Sequence, residues 1–112
     1  MNVSVTGDKL LAVLSALASP HRLRILALLA RAGGTHVSQL ARDVGISRPL
    51  LYLHLQRLEA AGLVTGELTL AMAEGKAMKY FQVAPFDLRL NPESVAQAVE
   101  TLSTSHRREE EV

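Results

Sequence analysis

The spacing of apolar and polar positions changes several times along this chain, and each change marks an element. Residues Asp8 to Ala18 read as a first helix, with Thr6 or Asp8 as its cap and Lys9 in its first turn. Within Leu10–Ala18 only Ser15 is polar. A surface helix carries one apolar stripe and one polar face. A helix that is apolar nearly all round needs cover on two sides, and in a chain this small the second cover is most simply another subunit. Ser19-Pro20 starts the next helix, with Ser as N-cap and Pro at the first helical position. It runs Pro20–Ala32, with Leu23, Ile25, Leu26, Leu28 and Leu29 on its buried side and Arg22, Arg24 and Arg31 in solvent. Gly33-Gly34 ends it.

Val37–Val44 is a short helix with Leu40, Ala41 and Val44 inward. Gly45-Ile46 makes a tight turn, Ser47 caps a further helix with Pro49 in its first turn, and Gly62 stops that helix after about Ala61. The period then shortens. Leu68, Leu70 and Met72 alternate on one side of an extended run, and Met78–Val83, with Tyr80 and Phe81, forms a second. A Gly-containing connection over 73–77 joins them into a β-hairpin. Pro85 breaks the extended pattern. Asn91-Pro92-Glu93 starts a last helix, whose stripe is Val95, Ala98, Val99 and Leu102. The expected fold class is mainly α (α+β), with about five helices and a two-stranded wing, in one domain over 1–104. Residues 105–112 form a charged tail expected to fray.

The two short helices joined at Gly45 match a helix-turn-helix. Ala41 is small where the second helix crosses it, Gly45 takes a positive φ, and Val44, Ile46, Leu51, Leu55 and Leu58 fill the angle between the helices. At about 100° per residue, Leu51, His54, Leu55 and Leu58 share one side of the second helix. Pro49, Tyr52, Leu53 and Gln56 lie roughly opposite, with Arg57 on the flank and Arg48 and Ser47 at the start. Such a ridge enters the major groove of double-stranded DNA. Arg48 suits guanine edges or a phosphate, Gln56 suits adenine, and Leu53 or Pro49 suits a thymine methyl. Arg42, Lys76 and Lys79 are candidate flanking contacts. His54, on the inner side, reads as a hydrogen-bonded core histidine, and His36 as a loop residue.

Composition sharpens this picture. The chain has 112 residues, 48% of them hydrophobic and 21% charged, enough for one core but not for a two-domain enzyme. The net charge of +1 looks uninformative. Yet between Pro20 and Gly62 six arginines (22, 24, 31, 42, 48 and 57) face only Asp43 and Glu59. That basic segment, all Arg, suits bidentate phosphate contact. There is no Cys, which excludes disulfides and thiolate metal sites and fits a reducing, cytoplasmic setting. No His pair has metal-ligand spacing, and no cofactor is expected. The run Leu10–Ala18 is shorter than the ~20 residues of a membrane span. No nucleophile elbow, paired-carboxylate context or phosphate loop supports catalysis.

Ser19-Pro-His-Arg-Leu-Arg-Ile-Leu26 resembles the opening "S-x-x-R-[LI]-x-I-L" of ArsR-type winged helix regulators. His54-Leu55-x-x-Leu58 followed by Ala61-Gly-Leu-Val64 resembles the end of their recognition helix. The two signatures occur in the right order, and the resemblance spans about Leu10 to Val83. It implies a homodimer that binds operator DNA and regulates transcription, most simply as a repressor on an inverted repeat, with the hairpin as wing. It also implies dimer contacts from the first and last helices, hence Leu10, Leu11, Leu14, Leu17, Val95, Val99 and Leu102. The missing Cys pair departs from the family's metal sensors, which leaves an unknown small-molecule effector as the alternative input. A competing reading from another class is a winged-helix protein-interaction module that uses the apolar Pro49-Leu50-Tyr52-Leu53 surface.

Overall fold

In a computed structural model the described residues are 5–71 and 76–103. Five helices and three strands follow in the order α1 (Gly7–Leu17), α2 (Pro20–Ala32), β1 (Thr35–His36), α3 (Val37–Val44), α4 (Arg48–Ala60), β2 (Val64–Ala71), β3 (Lys76–Val83) and α5 (Pro92–Val99). The tail 105–112, Met72 and the hairpin connection 73–75 lie outside the described residues, as do the side chains of Leu70 and Lys76.

Local chemistry explains the helix ends. Thr6, rather than Asp8, caps α1: its hydroxyl accepts from the Lys9 amide at 3.1 Å. Ser19 and Ser47 do the same for Arg22 and Leu50, both at 3.3 Å. Asn91 and Ser94 form a reciprocal capping box on α5. Gly45 ends α3 at φ 80°, a left-handed conformation that a Cβ would strain. Its amide and that of Ile46 both donate to the Ala41 carbonyl, which makes the turn between α3 and α4 tight.

Ile25, Leu29, Leu40, Leu51, Leu55, Leu58, Leu63, Val64 and Phe81 are almost wholly buried and join all the layers. From α1 only Val13 and Ala16 reach this core among its buried apolar side chains, with Leu17 packed against its edge. The sheet is antiparallel in the order β1-β3-β2. Val64 pairs with Val83 at the core end of the hairpin, and Ala71 with Lys76 at the far end.

Five expectations are corrected. The wing begins at Val64, not Leu68, because the Leu63–Val64 pair anchors it in the core before it projects. His36 is not a loop residue: it belongs to β1, opposite Tyr80, with the two rings edge-on at 5.3 Å. The short strand adds a third member to a sheet expected to have two, because pairing with β3 satisfies its backbone groups. Leu23 is exposed at 53%, where the periodicity placed it inward, and Leu68 is exposed at 70%. Finally, α5 stops at Val99, and Leu102 lies beyond it in a turn whose amide donates to the Val99 carbonyl.

Candidate nucleic-acid interface

The second helix of the helix-turn-helix, α4, is divided lengthwise. Leu51, Leu55 and Leu58 are sealed in the core at 0–1% exposure. Arg48, Pro49, Tyr52, Leu53, Gln56 and Arg57 are all exposed. Residues 48, 52 and 56 follow an i, i+4 row, as do 49, 53 and 57, so the structure brings the sequence-predicted reading residues together on one outward ridge. Leu53 is the most open apolar member at 59%, and Tyr52 and Leu50 are each at 38%. Ser47 spends its hydroxyl oxygen on capping α4.

The flanking candidates are distributed around this ridge. Arg42 projects from α3 and donates to Gln39 Oε1 at 2.7 Å, while Gln39 donates in turn to Asp43 at 2.9 Å. This surface chain holds the guanidinium over α3. Lys79 is half-buried on β3, its ammonium 5.7 Å from the centre of the Phe81 ring, so it leans along the sheet. Lys76 opens β3 at the far end of the hairpin.

Arg22 departs from its expected place in solvent. Its guanidinium is drawn in between α1, α2 and α4: Nε donates to the Ala16 carbonyl at 2.6 Å, Nη2 to the Ser15 carbonyl at 3.4 Å, and Nη1 to His54 Nδ1 at 3.1 Å. The basic segment therefore offers solvent one arginine fewer than its composition implies. A guanidinium only donates, so His54 Nδ1 must accept, and the ring proton sits on Nε2. Burial first, then the charges of Arg22, His21 and Arg57, hold the His54 pKa below its ordinary value of 6.5. His54 is thus a neutral, hydrogen-bonded histidine at the base of the ridge. Spacing along the chain placed Arg22 outside, because the carbonyls of α1 and the ring of α4 that meet it are brought there only by the fold.

Away from α4, apolar side chains stand open on two helices: Leu11 and Leu14 on α1 are exposed at 42% and 38%, and Val95 and Val99 on α5 at 40% and 57%. Leu10 and Leu17 are half-buried and border, with Leu14, a groove closed by Phe86, Leu88 and Leu90. Those three residues follow the sheet in an irregular segment, and the sequence pattern missed them because no period marks such a segment. Gly7 brings α1 and α5 together: its amide donates to Thr101 Oγ1 at 2.8 Å, and a Cβ there would meet the Ala98 carbonyl and Leu102. Leu102 is half-buried in that contact rather than presented outward.

Among the described residues no group of three His, Cys, Asp or Glu side chains could hold a metal ion. No single described helix is long and apolar enough to cross a membrane, and α1 and α2 meet at 93°.

The division of α4, the tight turn at Gly45 and the sheet beside it define a winged helix-turn-helix protein. A family model described as a helix-turn-helix domain matches residues 17–67. An HTH-type transcriptional regulator of Methanocaldococcus jannaschii is 33% identical over 86 residues, covering 76% of this chain and 86% of that one. NolR from Sinorhizobium fredii, a crystal structure, is 30% identical with a TM-score of 0.59, over 88% of this chain and 85% of NolR. The homodimeric winged helix-turn-helix DNA-binding domain of a possible ArsR-family regulator from Mycobacterium bovis matches at 24% identity and a TM-score of 0.60, over 94% and 85% of the two chains. The chain belongs to the helix-turn-helix transcriptional regulators, with the winged-helix fold of the ArsR type. It is a DNA-binding regulator and not an enzyme.

Proposed function

We propose that this regulator is a homodimeric repressor that lays α4 of each subunit in successive major grooves of an inverted-repeat operator, with the hairpin against the adjacent backbone. The observation that carries the reading is the lengthwise division of α4. One side is fixed in the core, and the other presents Arg48, Tyr52 and Gln56 in a single row. Two-fold symmetry would set the half-site centres about one helical turn apart or a multiple of it. The exposed Leu11, Leu14, Val95 and Val99 support the dimer, because apolar side chains clustered on two neighbouring helices are the surface a second copy would cover. The homodimeric state of the Mycobacterium bovis neighbour supports the same assembly. Bound across a promoter, such a dimer would exclude polymerase by occupancy.

Selection of bound duplexes from a random library is the test. An enriched inverted repeat is expected, and Arg48→Ala combined with Gln56→Ala should abolish its preference over random DNA. Unchanged binding by that double variant would overturn the recognition-helix assignment. The exposed Leu50, Tyr52 and Leu53 favour the interaction-module reading instead if no duplex is retained even at low salt.

A further inference from the structure

Arg22 and His54 form a joint between the helix proposed to dimerise and the helix proposed to read DNA. Three donors of one guanidinium are divided between two main-chain carbonyls near the C-terminal end of α1, Ser15 and Ala16, and a ring nitrogen halfway along α4. The carbonyls there carry the negative end of the α1 dipole, which favours a cation. Arg22 itself stands in the first turn of α2, whose N-cap Ser19 receives its amide. One side chain thus connects three helices.

We propose that Arg22 is the positioning residue of the recognition helix: through His54 it pins α4 to the end of α1, and the pin holds only while the His54 ring is neutral. The inference rests on the recognition-helix reading above. The joint is directional in proton occupancy. With His54 neutral, Nδ1 accepts from Arg22; with His54 protonated, two donors and two positive charges would face each other across the same gap. Among the described residues no acidic group acts on His54 to offset that charge. The groups acting on His54 are Arg22 and His21 of α2 and Arg57 of α4, and each disfavours a further positive charge. The α1 groups at the joint are carbonyls already taken by Arg22. The His21 and His54 rings lie 5.4 Å apart, and the buried His21 Nδ1 and His54 Nε2 have no hydrogen-bond partner in the structure. A second charge therefore enters a site already poor in acceptors.

The consequence is a DNA affinity that falls on acidification. Bulk electrostatics predicts the opposite sign, because acid adds positive charge to the protein and strengthens its attraction to phosphate. Operator binding is measured by fluorescence anisotropy at constant ionic strength from about pH 7.5 to about pH 5.5, the range in which histidines titrate. The wild type is expected to weaken about tenfold or more over this range, the scale of one charge-assisted hydrogen bond. His54→Asn keeps an acceptor in place of Nδ1 and cannot take the proton. It should bind within about threefold of wild type at the upper pH and lose the acid-dependent fall. Arg22→Met should bind about tenfold more weakly at every pH, with Arg22→Lys in between.

Amide hydrogen exchange reads the joint without DNA. Arg22→Met, or Arg22→Lys should the methionine variant not fold, should speed exchange in α4 more than in α2. Unchanged protection of α4, or a full acid-dependent fall retained by His54→Asn, would overturn the proposal. If no duplex is bound by any of these proteins, the recognition-helix reading fails, and exchange alone then decides the joint.

Discussion

The Lys9 ammonium donates to the Ala61 carbonyl at 2.5 Å, so a side chain from the first turn of α1 closes the C-terminal end of α4, 52 positions away. With the Arg22 joint at its middle, α4 is tied to α1 at two points. Lys9 also lies where a Cβ on Gly62 would fall, 2.6 Å from its Nζ, so the glycine that ends the helix makes room for the cation that caps it.

Lys9→Met should keep the aliphatic stem and lose the cap. Thermal and denaturant melts are expected to show a loss of about 1–2 kcal/mol, the scale of a hydrogen bond from a charged donor at a helix C-terminus. A variant as stable as wild type would mean that water replaces the ammonium at no net cost.

Two neighbouring leucines on α4 separate stability from recognition. Leu51 has no exposed surface and Leu53 is 59% exposed. Leu51→Ala should cost about 2–5 kcal/mol in urea unfolding through the lost contacts and the cavity left behind. Leu53→Ala should change stability by less than about 0.5 kcal/mol and act on DNA affinity instead. Comparable destabilisation by both would contradict the division of the helix into inner and outer faces.

Arg48→Ala should lower operator affinity and reduce the slope of log K against log salt by about one, if its contact is a phosphate. A lower affinity with an unchanged slope and relaxed base preference would instead assign Arg48 to a guanine edge. The salt titration distinguishes the two roles in one experiment.

Leu14→Glu places a carboxylate on the exposed apolar face of α1. Sedimentation should show the wild type at twice the chain mass and the variant at the chain mass, with the helical circular dichroism signal retained. A monomeric wild type at micromolar concentration would remove the homodimer from the proposed function.

Stability should also depend on pH through His54. Its folded pKa lies below the 6.5 of the unfolded chain, so the unfolded state takes up the proton first as pH falls. The stabilisation is fully present above the unfolded value and is lost as pH drops from there through the folded one. Melting temperatures recorded across this window should fall more steeply for wild type than for His54→Asn.

Much of this was legible in the chain because the signals were local. Ser19-Pro20, Ser47 and Asn91-Pro92 announced three helix starts, and each of those caps accepts the amide three residues on. Gly45 announced the turn, and the period along α4 separated Leu51, Leu55 and Leu58 from Arg48, Tyr52 and Gln56 before any coordinates. The all-round apolar α1 pointed to two covered faces: Val13 and Ala16 fill one, and Leu11 and Leu14 stand open on the other. These features follow from backbone sterics and side-chain period, which depend on neighbours within a turn or two.

What the tertiary structure decided involves partners far apart in sequence. Arg22 looked solvated because it carries a permanent charge, yet carbonyls of α1 and a ring of α4 converge on it. The two-residue strand at Thr35 is too short to show a period and exists because β3 passes beside it. Leu23 and Leu68 carry apolar side chains at positions no other element covers. Periodicity tells which residues share a face; only the packing of elements tells which face is met, and by what.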